Sequence, residues 1–198
     1  MMNNSSISIT PGIADSDFIR GEVPMTKQEV RVISISKLEL TPGDIILDIG
    51  AGTGSISIEI ARLLPESTIF AVEHNDDAID LIKQNIEKFN VQNVKIIEGS
   101  APEILKQIPK VNRIFIGGSS GNLGEILIWV QNNSFSGTRI VINAITINTL
   151  VAAHEYLSGP AFHNTDIIQV SVNRIEKVGN ADMFRPQSPV FIISSTLV

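Results

Sequence analysis

From Ile45 onward the chain alternates short apolar runs with stretches in which apolar residues recur every three or four positions. Runs of four to six apolar residues read as strands buried on both faces, and three-and-four spacing reads as a helix that buries one stripe. The pattern predicts strands over Ile45–Ile49, Thr68–Val72, Val94–Ile97, Arg113–Ile116 and Arg139–Asn143. Between and after them it predicts helices over Ser55–Leu64, Asn75–Phe89, Ala101–Lys106, Leu123–Asn132 and Thr146–Leu157. The stripe is clearest in the second helix, where Ala78, Ile79, Ile82, Ile86 and Phe89 share one face. Pro42-Gly43 before the first strand, Pro65 after the first helix and the capping run Asn75-Asp76-Asp77 support the boundaries. A helix over about Thr26–Leu38 precedes this region.

After the fifth helix come two β-rich runs, Asp166–Glu176 and Pro189–Ser195, with a polar segment between them and no room for a crossover helix. Strands joined in this way run antiparallel. The fold class expected is α/β: a mixed seven-stranded sheet with helices on both faces and an antiparallel edge pair. At 198 residues the chain is expected to form one domain, with residues 1 to about 12 poorly ordered.

Composition narrows the function. A hydrophobic fraction of 43% with 18% charged residues is that of a soluble globular protein. The net charge of −6 gives no overall field to attract a polyanion, so nucleic acid is not an expected partner. The first ten residues lack a basic segment followed by an apolar one, and no apolar run reaches the length of a membrane span. The expectation is a cytoplasmic protein with no membrane partner. The absence of cysteine excludes disulfides, thiolate zinc sites, iron–sulfur clusters and a cysteine nucleophile. His74, His154 and His163 are scattered without metal-ligand spacing, so no metal site is expected.

The chemistry concentrates in Asp48 to Ser55, D-I-G-A-G-T-G-S, where the chain leaves a strand, turns sharply and enters a helix. Helix N–H groups at such a turn point toward a ligand, and Gly50, Gly52 and Gly54 remove side chains that would obstruct it. A dinucleotide fingerprint needs its third glycine three residues after the second. Ser55 stands there, and the third glycine comes early at Gly54. With Asp48 just upstream, the turn disfavours a pyrophosphate and tolerates a cation such as the sulfonium of S-adenosylmethionine. The expected cofactor contacts are Gly50, Ala51, Gly52, Thr53 and Gly54, with Glu73 at the end of the second strand accepting both ribose hydroxyls. Ser100 and Ala101, after the third strand, border the adenine, although Ala101 reads equally as a first helical turn. Turn, acidic residues and edge pair together resemble the Rossmann-like class I methyltransferases.

The acceptor should sit at the switch in strand order, between the first and fourth strands. The loop after the fourth strand reads I-F-I-G-G-S-S-G, and Gly117 and Gly118 bring bare backbone up to whatever is bound. The Asn/Asp-Pro-Pro-aromatic motif of base amino-methylating enzymes is absent from this loop, which favours a bulky or flat acceptor attacked through carbon. Asn143, at the end of the fifth strand, faces the same edge or caps the following helix. Arg174, Lys177 and Arg185 cluster between the last two runs, where they clamp substrate carboxylates or are simply solvated.

The segments G-I-A-D-S-D-F-I-R, P-M-T-K-Q-E-V-R, D-I-G-A-G-T-G-S, E-G-S-A-P-E and I-F-I-G-G-S together resemble the decarboxylating precorrin methyltransferases of cobalamin biosynthesis. The likeness runs from about Gly12 to Leu157, and P-M-T-K and I-G-G-S are its more specific parts. It implies the stand-alone form, with cobalt-precorrin-6B as a small-molecule tetrapyrrole substrate. The implied reaction methylates carbon 15 and removes carbon dioxide from the ring C acetate, giving cobalt-precorrin-7. It also implies a homotetramer and a cofactor contact at Thr26, whose other reading is a helix N-cap. No catalytic acid or base is implied. The substrate's carboxylates direct attention to Arg20, Lys27, Arg31, Arg174, Lys177 and Arg185. Two other readings stay open here: a class I methyltransferase acting on tRNA adenine or on isoaspartyl protein, and a non-catalytic interaction module of the same fold.

Overall fold

A computed structural model describes residues 10–198. Of the stretch expected to be poorly ordered, residues 1–9 lie outside the described residues, whereas Gly12 is held. Its N–H donates to the Glu59 carboxylate, and its carbonyl accepts from Gln28.

The strands are β1 (Ile45–Ile49), β2 (Thr68–Glu73), β3 (Val94–Glu98), β4 (Arg113–Ile116), β5 (Arg139–Ala144), β6 (Phe162–Val170), β7 (Asn173–Val178), β8 (Ala181–Pro186) and β9 (Val190–Leu197). The helices are α1 (Gln28–Lys37), α2 (Ser55–Leu63), α3 (Asp76–Phe89), α4 (Leu123–Asn133) and α5 (Ile147–Leu157). The main sheet has the order β3-β2-β1-β4-β5-β9-β6, parallel through β5, with β9 antiparallel to both β5 and β6.

Strand alternation divides the core. Leu47, Ile49, Ile114, Ile116, Ile140 and Ile142 point to one face, where they meet Ile126, Leu127 and Val130 of α4 and Leu157 of α5. Ile46, Phe115 and Val141 point to the other, against Ile56 and Ile60 of α2 and Val30 and Ile35 of α1. Both faces of the central strands are therefore buried, as continuous apolar runs require. Asn75 caps α3 by accepting from the Ala78 N–H, and Thr146 caps α5 by accepting from the Thr149 N–H.

Three expectations change. The segment 101–106 forms a short 3-10 turn over Glu103–Gln107, in which the N–H groups of Leu105 and Ile108 bond three residues back, to the carbonyls of Pro102 and Leu105. The first helix begins at Gln28 behind Lys27, so Thr26 is not its cap. The run Asp166–Glu176 is two strands, not one. Its first part pairs with β9, Val170 opposite Val190, and its second part leaves the sheet as β7 to form a separate hairpin with β8. The supposed polar connection is thus a β-hairpin. Its tip is Gly179-Asn180, with Gly179 at φ +61°, a two-residue glycine turn between alternating runs. Among the described residues no helix is long and apolar enough to cross a membrane.

Candidate functional site

The chain runs outward from β1 to β3, then returns to β4 on the other side of β1, so the strand order reverses between β1 and β4. A crevice opens there beyond the carboxyl ends of the strands. The cleft at this edge has a volume of about 1540 Å³. That exceeds the roughly 300–1,000 Å³ typical of a pocket for one small ligand.

Its floor is the glycine turn. The N–H groups of Gly50 and Ala51 donate to the Val72 carbonyl at 3.0 and 3.1 Å, which binds the turn to β2. Gly50 has φ +70°, and a Cβ there would stand 2.6–2.8 Å from the Gly118 backbone, so only glycine lets the two loops meet. Gly52 is at φ +57°, and its Cβ would touch the Pro24 carbonyl at 3.0 Å. Gly50, Ala51 and Gly52 line the cleft, whereas Thr53 and Gly54 turn away from it. The Thr53 carbonyl accepts from Asn85, and the Gly54 backbone packs on Ile82.

Glu73 ends β2 with its carboxylate almost wholly buried. Its Oε2 accepts the Gly52 N–H at 2.9 Å, and its Oε1 accepts the N–H groups of His74 and Asn75 at 2.8 and 3.0 Å. Three backbone donors fix its aim, and Oε2 retains capacity for a further donor. A group with two vicinal hydroxyls fits this acceptor.

Asp48 lies differently from the sequence expectation. Its side chain is fully buried below the turn, not in the cleft, and accepts from the Ser57 hydroxyl at 2.6 Å while Oδ1 has no partner. Burial pushes its carboxyl up to about 7, against the lowering effect of the Ser57 bond and helped by the nearby Glu73 charge.

A strap over residues 13–27 walls one side of the cleft, with Arg20, Thr26 and Lys27 among its lining residues. Arg31 does not face the cleft, contrary to its reading as a substrate cation. Its guanidinium is fully buried and donates to Glu59 at 2.6 Å, the Thr26 carbonyl at 2.6 Å, Asp15 at 3.3 Å and the Ile13 carbonyl. It also lies 4.8 Å from the centre of the Phe18 ring. Asn85 pins the strap's middle, accepting from the Ile19 N–H at 2.8 Å and donating to the carbonyls of Ile19 and Thr53.

Ser100, Ala101, Gly117, Gly118 and Asn143 line the cleft as well. Asn143 caps no helix; its Oδ1 accepts from the Ser34 hydroxyl at 3.0 Å. Arg174, Lys177 and Arg185 are not among the lining residues. They sit on the β7–β8 hairpin, with Arg174 bound to Glu29 at 2.6 Å and Arg185 to Glu176 at 3.3 Å.

Other parts of the wall escaped the sequence reading. Asp77, Asp80, Leu81 and Gln84 of α3 line the cleft, and their spacing of three, one and three marks a helix face next to Glu73 that was legible. Ile145, Val170, Val172 and Val190, at the ends of β5 and β6, in the β6–β7 connection and at the start of β9, line it as well, and nothing distinguishes them in sequence from ordinary apolar residues.

The chain is similar to known proteins along nearly its full length. A profile described as the precorrin methyltransferase domain matches residues 17–196. A Sulfurisphaera tokodaii protein named "Probable cobalt-precorrin-6B C(15)-methyltransferase (decarboxylating)" is 41% identical over 186 residues, 92% of this chain and 96% of that protein. The Salmonella typhimurium cobalt-precorrin-6B C(15)-methyltransferase (decarboxylating) is 36% identical over 181 residues, 91% of this chain and 93% of that protein. The crystal structure of a precorrin-6y C5,15-methyltransferase from Geobacter metallireducens superposes with a TM-score of 0.89 at 38% identity, covering 94% of this chain and 98% of that one.

Proposed function

The chain belongs to the precorrin methyltransferase family, and on that premise we propose that it moves a methyl group from S-adenosylmethionine to carbon 15 of cobalt-precorrin-6B. It also removes carbon dioxide from the ring C acetate, giving cobalt-precorrin-7 in cobalamin biosynthesis, with the chain acting as a single domain. The observation that carries this reading is a cleft of about 1540 Å³ at the sheet's switch point, roomy enough for a cofactor and a large acceptor side by side.

When bound, S-adenosylmethionine supplies an electrophilic methyl group on a sulfonium. In this reading Glu73 accepts the ribose hydroxyls, and the Gly50–Gly52 backbone borders the methionine end. Ser100 and Ala101 border the adenine, and Thr26 closes the site from the strap. Thr53 and Gly54 shape the turn without touching a ligand. Gly117 and Gly118 let the acceptor approach the turn, with Asn143 beside them. Arg20 and Lys27 hold acceptor carboxylates. Transfer to an electron-rich carbon depends on in-line placement and exclusion of water more than on a strong base, so the chain's task is to bind, orient and close.

The homotetramer expected from the family is supported by the β7–β8 hairpin, which exposes Ile175 and, at 73%, Phe184. A lone two-stranded hairpin is marginal in water, and a second copy of the chain would cover it. Light scattering tests this assembly.

The cofactor reading is tested by titration calorimetry. The natural chain should bind S-adenosylmethionine, and Glu73→Ala should weaken binding by about a hundredfold, the scale of two lost charge-assisted hydrogen bonds. Equal affinity in both would overturn the assignment.

A further inference from the structure

The carboxyl ends of the central strands stand level across the sheet. Ile49 pairs with Val72 on one side and Ile116 on the other, and Ile116 pairs with Ile142. Glu73, Gly50, Gly117 and Asn143 each lie one residue past that row, and all four line the cleft. At the usual strand spacing of about 4.8 Å, Asn143 stands roughly 10 Å from the strand of the glycine turn and roughly 14 Å from that of Glu73. It belongs to the part of the cleft left for the acceptor.

Side chains alternate along β5, so Asn143 shares the face of Val141, which packs toward α1 and α2. There it meets Ser34 of α1, which is fully buried. Two acceptors lie within reach of the Ser34 hydroxyl, the Val30 carbonyl at 2.8 Å and Asn143 Oδ1 at 3.0 Å, and it has one proton. Val30 already offers its carbonyl to the Ser34 N–H in the α-helical pattern. Asn143 Oδ1 has no other donor among the described residues. With Oδ1 held by Ser34, both hydrogens of Nδ2 stay free. The buried polar atoms without a partner are Glu29 Oε2, Asp48 Oδ1, Thr53 Oγ1 and Ser134 Oγ, and Nδ2 is not one of them. Nδ2 therefore meets solvent, and the solvent that Asn143 borders is that of the cleft. A donor presented in this way suits an oxygen, and its bond to an ionised one is roughly twice as strong as to a neutral one.

Resting on the function proposed above, we infer that Asn143 is a specificity residue whose Nδ2 donates to a carboxylate of the tetrapyrrole, and that Ser34 is the positioning residue that keeps this nitrogen toward the cleft. Without the Ser34 hydroxyl the amide is free to turn about its last bond, so that oxygen and nitrogen exchange places. An amide oxygen in the cleft would meet the carboxylate with lone pairs and repel it. One acid group of a polyacid is thus recognised by a neutral donor, whose direction is set by a residue 109 positions away.

Titration of the absorbance of cobalt-precorrin-6B without cofactor reads acceptor affinity. Calorimetry with S-adenosylmethionine reads cofactor affinity and shows that each variant is folded. Asn143→Ala should weaken acceptor binding by about tenfold. Asn143→Asp keeps the shape and the bond from Ser34 but puts an oxygen in the cleft, and should weaken it by about a hundredfold. Both variants should bind S-adenosylmethionine as the natural chain does. Ser34→Ala should weaken acceptor binding by about threefold alone and not at all when added to Asn143→Ala, because its effect passes through the amide. A purely structural serine would weaken both backgrounds alike. Unchanged acceptor affinity in the two Asn143 variants, an equal loss from Ser34→Ala in both backgrounds, or a fall in both affinities together overturns the inference. Absence of acceptor binding and methyl transfer in the natural chain would instead overturn the proposed function.

Discussion

Two segments outside the main sheet, the strap over residues 13–27 and the β7–β8 hairpin, are each held at an arginine–glutamate pair of 2.6 Å: Arg31 of α1 with Glu59 of α2 beneath the strap, and Arg174 of the hairpin with Glu29 of α1. The distances are equal and the surroundings are not. Arg31 and Glu59 have side-chain exposures of 0% and 2%, whereas Arg174 and Glu29 have 46% and 35%. In the buried pair every guanidinium nitrogen has a partner, and two of those partners are strap carbonyls. In the more exposed pair one Glu29 oxygen, Oε2, is buried and has no partner. Burial and completeness of hydrogen bonding, not distance, decide what such a pair holds in place. The strap is a fixed wall of the cleft, while a single solvated contact ties the hairpin to α1.

The largest expected effect breaks the buried side of this comparison. Arg31→Met leaves Glu59 as a buried charge without its cation and should destabilise the fold by about 3–5 kcal/mol, read by denaturant unfolding. Because the Thr26 and Ile13 carbonyls lose their donor as well, S-adenosylmethionine binding should weaken in parallel. Unaltered stability would show that the strap is held by its other contacts.

Asp48 is a further buried carboxyl, and among the described residues no cation pairs with it. Its folded value of about 7 lies above the ordinary 3.8, so between about pH 4 and 7 the native state keeps a proton that the unfolded chain has released. Stability should therefore fall as pH rises through that window and be level above it, by up to about 4 kcal/mol for a shift of this size. Asp48→Asn should remove that slope, so that the variant gains on the natural chain from pH 4 to 8 in unfolding midpoints. A parallel pH dependence in both would exclude Asp48 as its source.

The smallest effect belongs to the exposed pair. Arg174→Ala should change stability by less than about 1 kcal/mol, as surface ion pairs do, and that little should fade in high salt. A loss as large as that of Arg31→Met would erase the distinction between the two segments.

The parallel part of the sheet was legible because each strand announces itself as a short apolar run and each helix as a stripe. The five strands stand within one residue of their expected ends. The C-terminal part was harder, since β6 and β7 follow each other with only Ser171 and Val172 between them and read as one run. The Gly179-Asn180 turn was the available signal for the hairpin. In the cleft, Gly50 and Glu73 stood out because a sharp turn and a strand-end carboxylate are local features. The basic residues did not sort themselves, since Arg20, Arg31 and Arg174 look alike until their neighbours are known.

What the sequence determined by itself is therefore what depends on near neighbours along the chain: the strand–turn–helix at Asp48 to Ser55, the acidic end of β2, and the alternation that builds the parallel sheet. Only the tertiary structure decided which groups meet water and which meet each other. It buried Asp48 below the turn, turned Arg31 inward to Glu59, drew Arg174 to Glu29, and brought to the cleft apolar residues from the ends of β5 and β6 and the start of β9. Solvation and pairing depend on contacts between residues far apart in the chain, from 28 positions for Arg31 and Glu59 to 145 for Arg174 and Glu29, and no local pattern carries them.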